Sequence, residues 1–105
     1  TVDQKLVDRV LAERLTDANL TKTSTIIDMT NMTVKRRAQT LRYFDDSFYK
    51  IAVVFPILSD EQYQMRNIDR NSKENKWIPP SVIKSMIDSY QEPTSDEGFS
   101  KIILL

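Results

Sequence analysis

A β-branched run that ends on an acid, Ser24-Thr-Ile-Ile-Asp28, and then gives way to the basic stretch Lys35-Arg36-Arg37, constrains the fold more than any other feature of this chain. Short apolar runs of this kind, bounded by polar residues, read as strands. Two more follow: Tyr49 to Phe55, with its unbroken Ile51-Ala-Val-Val-Phe55, and Ser100 to Leu105. The middle run lacks alternation, so it is expected to be covered on both faces. Helical periodicity separates the three. Val2, Leu6, Val7, Val10, Leu11 and Leu15 form one stripe, which the polar stretch 17–23 is expected to end. Thr33 is placed to cap a helix from Val34 to about Phe44, with Ala38, Leu41 and Phe44 inward. Ser59 is placed to cap another from Asp60 to about Arg70, followed by a polar loop over 71–76. Pro79 and Pro80 open a fourth, ending near Tyr90, with Val82, Ile83, Met86, Ile87 and Tyr90 on its apolar face.

The order helix, strand, helix, strand, helix, helix, strand belongs to the α/β class, with right-handed crossovers and a parallel sheet. All three strands are expected in one sheet. Asp28 then lies at a carboxyl end beside Thr30 and Asn31, where open α/β sheets bind ligands.

Composition narrows the partners. The chain has 105 residues and 40% hydrophobic content, enough for one small domain with a modest core. Fifteen basic and fifteen acidic residues cancel, so no global field draws it to nucleic acid or to a membrane. The absence of Cys and His removes thiol and imidazole chemistry, the usual zinc sites and any disulfide framework, and fits a reducing compartment. No run approaches the ~18 apolar residues of a membrane span, and no leader-like segment opens the chain, so an intracellular, soluble protein is expected. The start at Thr1 and the apolar ending Lys101-Ile-Ile-Leu-Leu105 suggest cuts through a larger protein, with 1–105 the later part of a single domain.

Three groups of residues carry candidate chemistry. Asp28 is a candidate general base or ligand for a substrate hydroxyl, although Asp28, Thr30 and Asn31 equally suit the needs of a turn. Arg66 and Arg70, four residues apart, share a helix face on which two guanidinium forks can close on a polyphosphate; an ordinary solvated face accounts for them equally well. Lys35, Arg36, Arg37 and Arg42 form a basic cluster able to meet nucleic-acid phosphates, offset by Asp45 and Asp46. The nearby Tyr43, Phe44, Phe48 and Tyr49 suit core packing better than base stacking, and Trp77 can be either an anchor or an exposed contact. One motif is missing. With Gly98 its one glycine, the chain has no GxxxxGK[ST] loop to cradle a triphosphate, so tight nucleotide binding is not expected of it alone.

Ile27-Asp-Met-Thr-Asn31 with Arg36-Arg37, followed by Lys50-Ile-Ala-Val-Val-Phe-Pro56, resembles the kinase-like P-loop domain of the heterogeneous nuclear ribonucleoprotein U family. The similarity continues through Asp60-Glu61, Arg66, Arg70, Ile78-Pro79 and Met86. The region is also similar to the kinase domain of polynucleotide 5′-kinase/3′-phosphatases, where Pro93-Thr94 and Glu97-Gly98-Phe99 match a P-T-x-x-E-G-F stretch. The resemblance implies a three-layer P-loop NTPase-like fold, here without its Walker A strand and loop, in a nucleotide-binding or interaction module of a nuclear RNA-binding ribonucleoprotein involved in RNA processing; the alternatives are an ATP-dependent polynucleotide 5′-kinase of nucleic-acid repair and a non-catalytic scaffold with a degenerate P-loop fold. It implies that Asp28 activates a polynucleotide 5′-hydroxyl, that Arg66 and Arg70 lie in a lid over the phosphates, and that Thr30, Asn31, Arg36 and Arg37 contact substrate. Bacteriophage kinases place the acid directly before Thr-Asn, where this chain has Met29. ATP and Mg²⁺ are implied cofactors when the Walker A part is present. RNA or DNA ends, and the remainder of the P-loop domain or a partner chain, are the implied partners.

Overall fold

In a computed structural model describing residues 3–105, the chain forms four α-helices and a two-stranded parallel sheet. The order is α1 (Gln4–Thr21), α2 (Val34–Leu41), β1 (Ile51–Val54), α3 (Asp60–Glu74), α4 (Pro80–Ser89), a 3-10 turn (Ser95–Glu97) and β2 (Lys101–Leu104). Strands β1 and β2 pair in register from Ile51 opposite Lys101 to Val54 opposite Leu104. Backbone hydrogen bonds from Ser100 to Lys50 and from Leu105 to Val54 extend the ladder at both ends. The long connection through α3 and α4 is what parallel pairing requires.

The expected third strand is absent. Residues 24–28 make no ladder, and Ile26 is 95% exposed. β-Branched composition favours an extended backbone, but a strand exists only when a neighbouring edge takes its hydrogen bonds. Nor is β1 covered on both faces: its side chains alternate, with Ile51 and Val53 half exposed and Ala52 and Val54 more covered. Its unbroken apolar run therefore packs on one side only.

Helix ends also differ from expectation, and each has a local cause. Helix α1 starts on Asp3, whose carboxylate accepts from the Lys5 and Leu6 amides, and continues past Leu15 to Thr21. The hydroxyls of Thr16 and Thr21 bond back to the carbonyls of Ala12 and Asp17 without breaking the helix, which ends where Lys22 turns left-handed at φ 53° and its amide and that of Thr23 take the last carbonyls. Helix α2 starts on the Thr33 hydroxyl as expected but stops at Leu41, and Tyr43 and Phe44 then close tighter turns. Its expected inward residue Ala38 is exposed, and Arg37 is buried instead. Helix α3 starts in a capping box between Ser59 and Gln62 and runs through the stretch expected as a loop to Glu74. A Lys73–Asp69 ion pair at 3.2 Å spans that added turn, and Asn75 at φ 54° ends it.

The core is thin. Among the described residues, Leu15 and Phe44 are the buried large apolar side chains, while Tyr49, Ile51, Val53 and Phe55 leave one side of the sheet region open. The radius of gyration, 15.9 Å, exceeds the roughly 13 Å expected of a compact chain of this length. Polar clasps hold much of what a larger core would hold elsewhere. At the end of α1, the Asn19 amide oxygen accepts from the Asp45 backbone, and Lys22 pairs with Asp45 while lying 5.4 Å over the Phe48 ring. Phe48 packs edge-on against Phe44 at 4.9 Å. Between α3 and α4, Asn67 is 2% exposed and grips the Ile78 backbone twice, donating to its carbonyl at 2.6 Å and accepting from its amide at 2.9 Å.

Replacing Asn67 by Ala strips both partners from Ile78. Each buried group left unsatisfied costs about 1–3 kcal/mol. In urea unfolding, Asn67→Ala is expected to lower the midpoint by a corresponding amount with little change in slope, while Asp69→Ala on the exposed face changes stability by under about 1 kcal/mol.

Candidate functional site

The polar turn before α2 is built from local hydrogen bonds. The Asn31 amide bonds to the Met29 carbonyl at 2.9 Å and the Met32 amide to the Thr30 carbonyl at 2.7 Å, which folds residues 29–32 tightly on themselves. Gln91 holds the far side. Its backbone amide donates to the Met32 carbonyl at 2.8 Å, and its side-chain oxygen accepts from the Val34 amide at 3.0 Å.

A buried ion pair completes the attachment. The Arg37 Nε and Nη2 donate to the two carboxylate oxygens of Glu97 at 2.8 and 3.1 Å, and Nη1 donates to the Asn31 carbonyl at 2.9 Å. Both side chains are nearly buried, at 5% and 7% exposure. Glu97 also accepts from the Thr94 amide, the second half of a capping box around the 3-10 turn. The Arg37 hydrogen bonds, with help from the Thr94 amide, hold the Glu97 carboxyl below its ordinary value against the opposing effect of burial. One guanidinium thus joins the Thr30-Asn31 turn to the Thr94–Glu97 segment.

Across from that turn lies a cleft of about 240 Å³, lined by Met32, Tyr63, Arg66, Arg70, Ile78, Ile83, Met86 and Ile87. Tyr63, Arg66 and Arg70 come from one face of α3 at spacings of three and four. The residues Ile83, Met86 and Ile87 come from the apolar face of α4, and the Asn67 clasp fixes Ile78 between the two helices. The Tyr63 hydroxyl accepts from the Leu58 amide at 3.3 Å, which anchors the phenol. Arg66 is exposed, whereas Arg70 is half-buried and makes a long contact of 3.5 Å to the Asn67 side-chain oxygen.

The sequence-derived candidates therefore divide. Arg66 and Arg70 share one cleft, and Met32 brings the polar turn to its wall. Asp28, Thr30 and Arg36 are exposed and do not line it. Asp28 also lacks the expected position at a strand end, because residues 24–28 are unpaired. Asn31 is half-buried, with its side-chain oxygen enclosed and without a hydrogen-bond partner among the described residues. Arg37 departs furthest from the expected nucleic-acid contact: its guanidinium faces inward and is occupied by Glu97 and Asn31. Charge density along 35–42 could not reveal this, because the partner lies 60 residues away. The Thr94-x-x-Glu97 spacing was the available signal for a cap, and Asn67, between Tyr63 and Arg70 on an inward face, was a visible polar interruption.

Residues 1–93 match the family described as the AAA domain. The chain belongs to that family. No curated protein and no solved structure matches it. AAA-domain membership makes it part of a P-loop NTPase-like, kinase-like family of nucleotide-binding modules, and the helices with a parallel strand pair are consistent with part of an α/β fold. The triphosphate cradle of such folds has no counterpart in this AAA-domain chain, whose one glycine, Gly98, lies at φ 101° after the 3-10 turn. What the chain does present is a pair of guanidinium groups beside an apolar cleft. Among its described residues, no helix is long and apolar enough to cross a membrane.

The Arg37–Glu97 pair predicts acid sensitivity. A carboxyl depressed by folding adds stability above its unfolded value, and that stability is lost as pH falls through the folded value. Stability is therefore expected to decline as pH drops below the ordinary glutamate value of 4.5, with Asp45, held at about 2 by Lys22 and Ser47, adding to the same trend. Arg37→Ala strands a buried carboxylate and is expected to cost about 3–5 kcal/mol near neutral pH. Glu97→Gln turns an amide donor towards the guanidinium and should flatten the acid limb. Thermal unfolding of the three proteins between pH 3 and 7 measures both effects.

Proposed function

We propose that this AAA-domain chain is the phosphate-contacting part of a kinase-like nucleotide-binding or interaction module in a nuclear RNA-binding ribonucleoprotein of the U type. The observation that carries the reading is the common placement of Arg66 and Arg70 on the cleft that Met32 also lines. Two guanidinium forks four residues apart can meet non-bridging oxygens of one polyphosphate, and arginine suits that geometry better than lysine. In this reading Asp28, Thr30, Asn31 and Arg36 form the outer, substrate-facing rim. The enclosed, unpartnered side-chain oxygen of Asn31 supports a hydrogen-bond donor arriving there. ATP with Mg²⁺ is the proposed nucleotide wherever a Walker A loop accompanies these residues; Arg66 and Arg70 would hold phosphate oxygens, and the nucleotide supplies a transferable phosphoryl group. The open, apolar side of the sheet supports packing against the remainder of a P-loop domain or a partner chain.

A second reading is an active polynucleotide 5′-kinase. It is favoured by the buried Arg37–Glu97 pair, which joins the Asn31 turn to Pro93–Phe99, the stretch that matches such kinases especially well. In that enzyme Asp28 would take the proton of the attacking 5′-hydroxyl.

Radiolabel transfer from ATP to a 5′-hydroxyl oligonucleotide by the full-length protein separates the two. For the ribonucleoprotein-type module, no Asp28-dependent transfer is expected, while Arg66→Ala and Arg70→Ala each weaken ATP binding by about tenfold or more, the worth of a charge-assisted hydrogen bond. Robust transfer that falls about a hundredfold in Asp28→Asn, with ATP affinity kept, would establish the kinase instead. Unchanged ATP affinity in both arginine variants would remove the phosphate-contacting role from either.

A further inference from the structure

Phosphate accounts for only the charged side of the cleft. The remaining lining, Met32, Tyr63, Ile78, Ile83, Met86 and Ile87, is apolar or aromatic, and an inorganic anion gains nothing from it. We propose that this cleft seats the nucleobase of a nucleotide whose own phosphate rests on Arg66 and Arg70. The inference rests on reading those arginines as phosphate ligands and adds the class of group beneath them.

Charge, size and wall chemistry agree. The ion pairs of the described residues leave Arg66 and Arg70 without a carboxylate, and the one recorded contact of Arg70 is to the neutral Asn67 oxygen. Two uncompensated cations beside an apolar cleft call for a ligand that is anionic at one end and apolar at the other. The volume, about 240 Å³, falls below the roughly 300 Å³ at which sites begin to enclose drug-sized ligands. A flat ring enters; a whole nucleoside triphosphate does not. Two thioethers, Met32 and Met86, line the cleft, and polarisable sulfur makes favourable contacts with aromatic rings.

The walls also limit what can be read. The Tyr63 hydroxyl accepts from the Leu58 amide and keeps a single O–H to donate, and the other non-arginine side chains of the lining carry no hydrogen-bond donors. Every base offers an acceptor to one such donor, so the base is held chiefly by its faces and the seat tolerates all four bases. A free mononucleotide and the terminal nucleotide of a strand present the same chemistry.

Methyl-¹³C methionine spectra of the full-length protein test this directly, with each resonance assigned by Met→Leu replacement. Met32 and Met86 line the cleft, whereas Met29 and Met65, 46% and 63% exposed, lie outside it and serve as internal controls. Addition of ATP or of a 5′-hydroxyl oligonucleotide is expected to shift the Met32 and Met86 methyls by ring current and to leave Met29 and Met65 in place. Whichever of the two probes shifts them identifies the source of the base. Inorganic tripolyphosphate should produce no such shift, and the four bases should act alike. Met86→Ala is expected to weaken the base-bearing probe about tenfold and to leave tripolyphosphate affinity unchanged. Met32 and Met86 methyls that stay still while ATP and the oligonucleotide bind, or that answer tripolyphosphate equally, overturn the proposal. If tripolyphosphate binding then still depends on Arg66, the phosphate reading survives alone. A base-dependent methyl shift with tripolyphosphate binding indifferent to Arg66 supports the base seat and removes the phosphate contact.

Discussion

The buried pair between Arg37 and Glu97 is the interaction on which the arrangement of this chain depends. Taking two charges out of water is costly, and only close, fully satisfied geometry recovers the cost. Here the carboxylate meets the guanidinium at 2.8 and 3.1 Å, and the remaining guanidinium nitrogen takes the Asn31 carbonyl at 2.9 Å. The pair thereby fixes the turn that precedes α2 against the segment that precedes β2. It is a directional restraint between stretches 60 residues apart, which the sparse apolar burial around Leu15 and Phe44 does not supply.

The same economy recurs across the molecule. Gln91 holds Met32 and Val34 by their backbones, and Asn67 holds Ile78 by both of its backbone groups. Each clasp ends on a residue that lines the cleft or adjoins one, so the walls around Arg66 and Arg70 are set by hydrogen bonds. Hydrogen bonds fix angles as well as distances, so they give a definite shape to the cleft that Arg66 and Arg70 line. The sheet lacks this treatment. Its open face keeps Ile51, Val53 and Phe55 in contact with solvent, the kind of surface that further protein contacts bury.

Much of the local structure was legible in the residues. Caps at Thr33 and Ser59, the proline start of α4 and the parallel pairing of the second and third apolar runs follow from side-chain chemistry and spacing. Residues 24–28 were misread because a strand is a property of two segments, and composition reports on one. The overlong α1 and α3 show the same limit at helix ends: polar residues permit either outcome until a left-handed residue, Lys22 or Asn75, stops the chain. The four-residue spacing put Arg66 and Arg70 on one helix face, and both line the same cleft. Arg37 was indistinguishable from Arg36 in sequence, yet a rotation of one helical position separates a solvated side chain from a buried one. Membership of the AAA-domain family accounts for the P-loop-like, kinase-like character of the whole.

The central claim is that the Arg37–Glu97 pair fixes the turn before α2 against the 3-10 segment and thereby keeps Met32 at the wall of the cleft. With no cysteine in the chain, spin labels can be placed cleanly at Met29→Cys and Met65→Cys, two exposed positions outside the cleft, one in the turn and one on α3. Distance distributions from electron–electron double resonance, with Arg37 intact and with Arg37→Leu, decide the matter. A single narrow distance that broadens or lengthens in the Arg37→Leu protein, while the helical signal in circular dichroism persists, is the predicted result. The same narrow distance in both proteins would contradict the account.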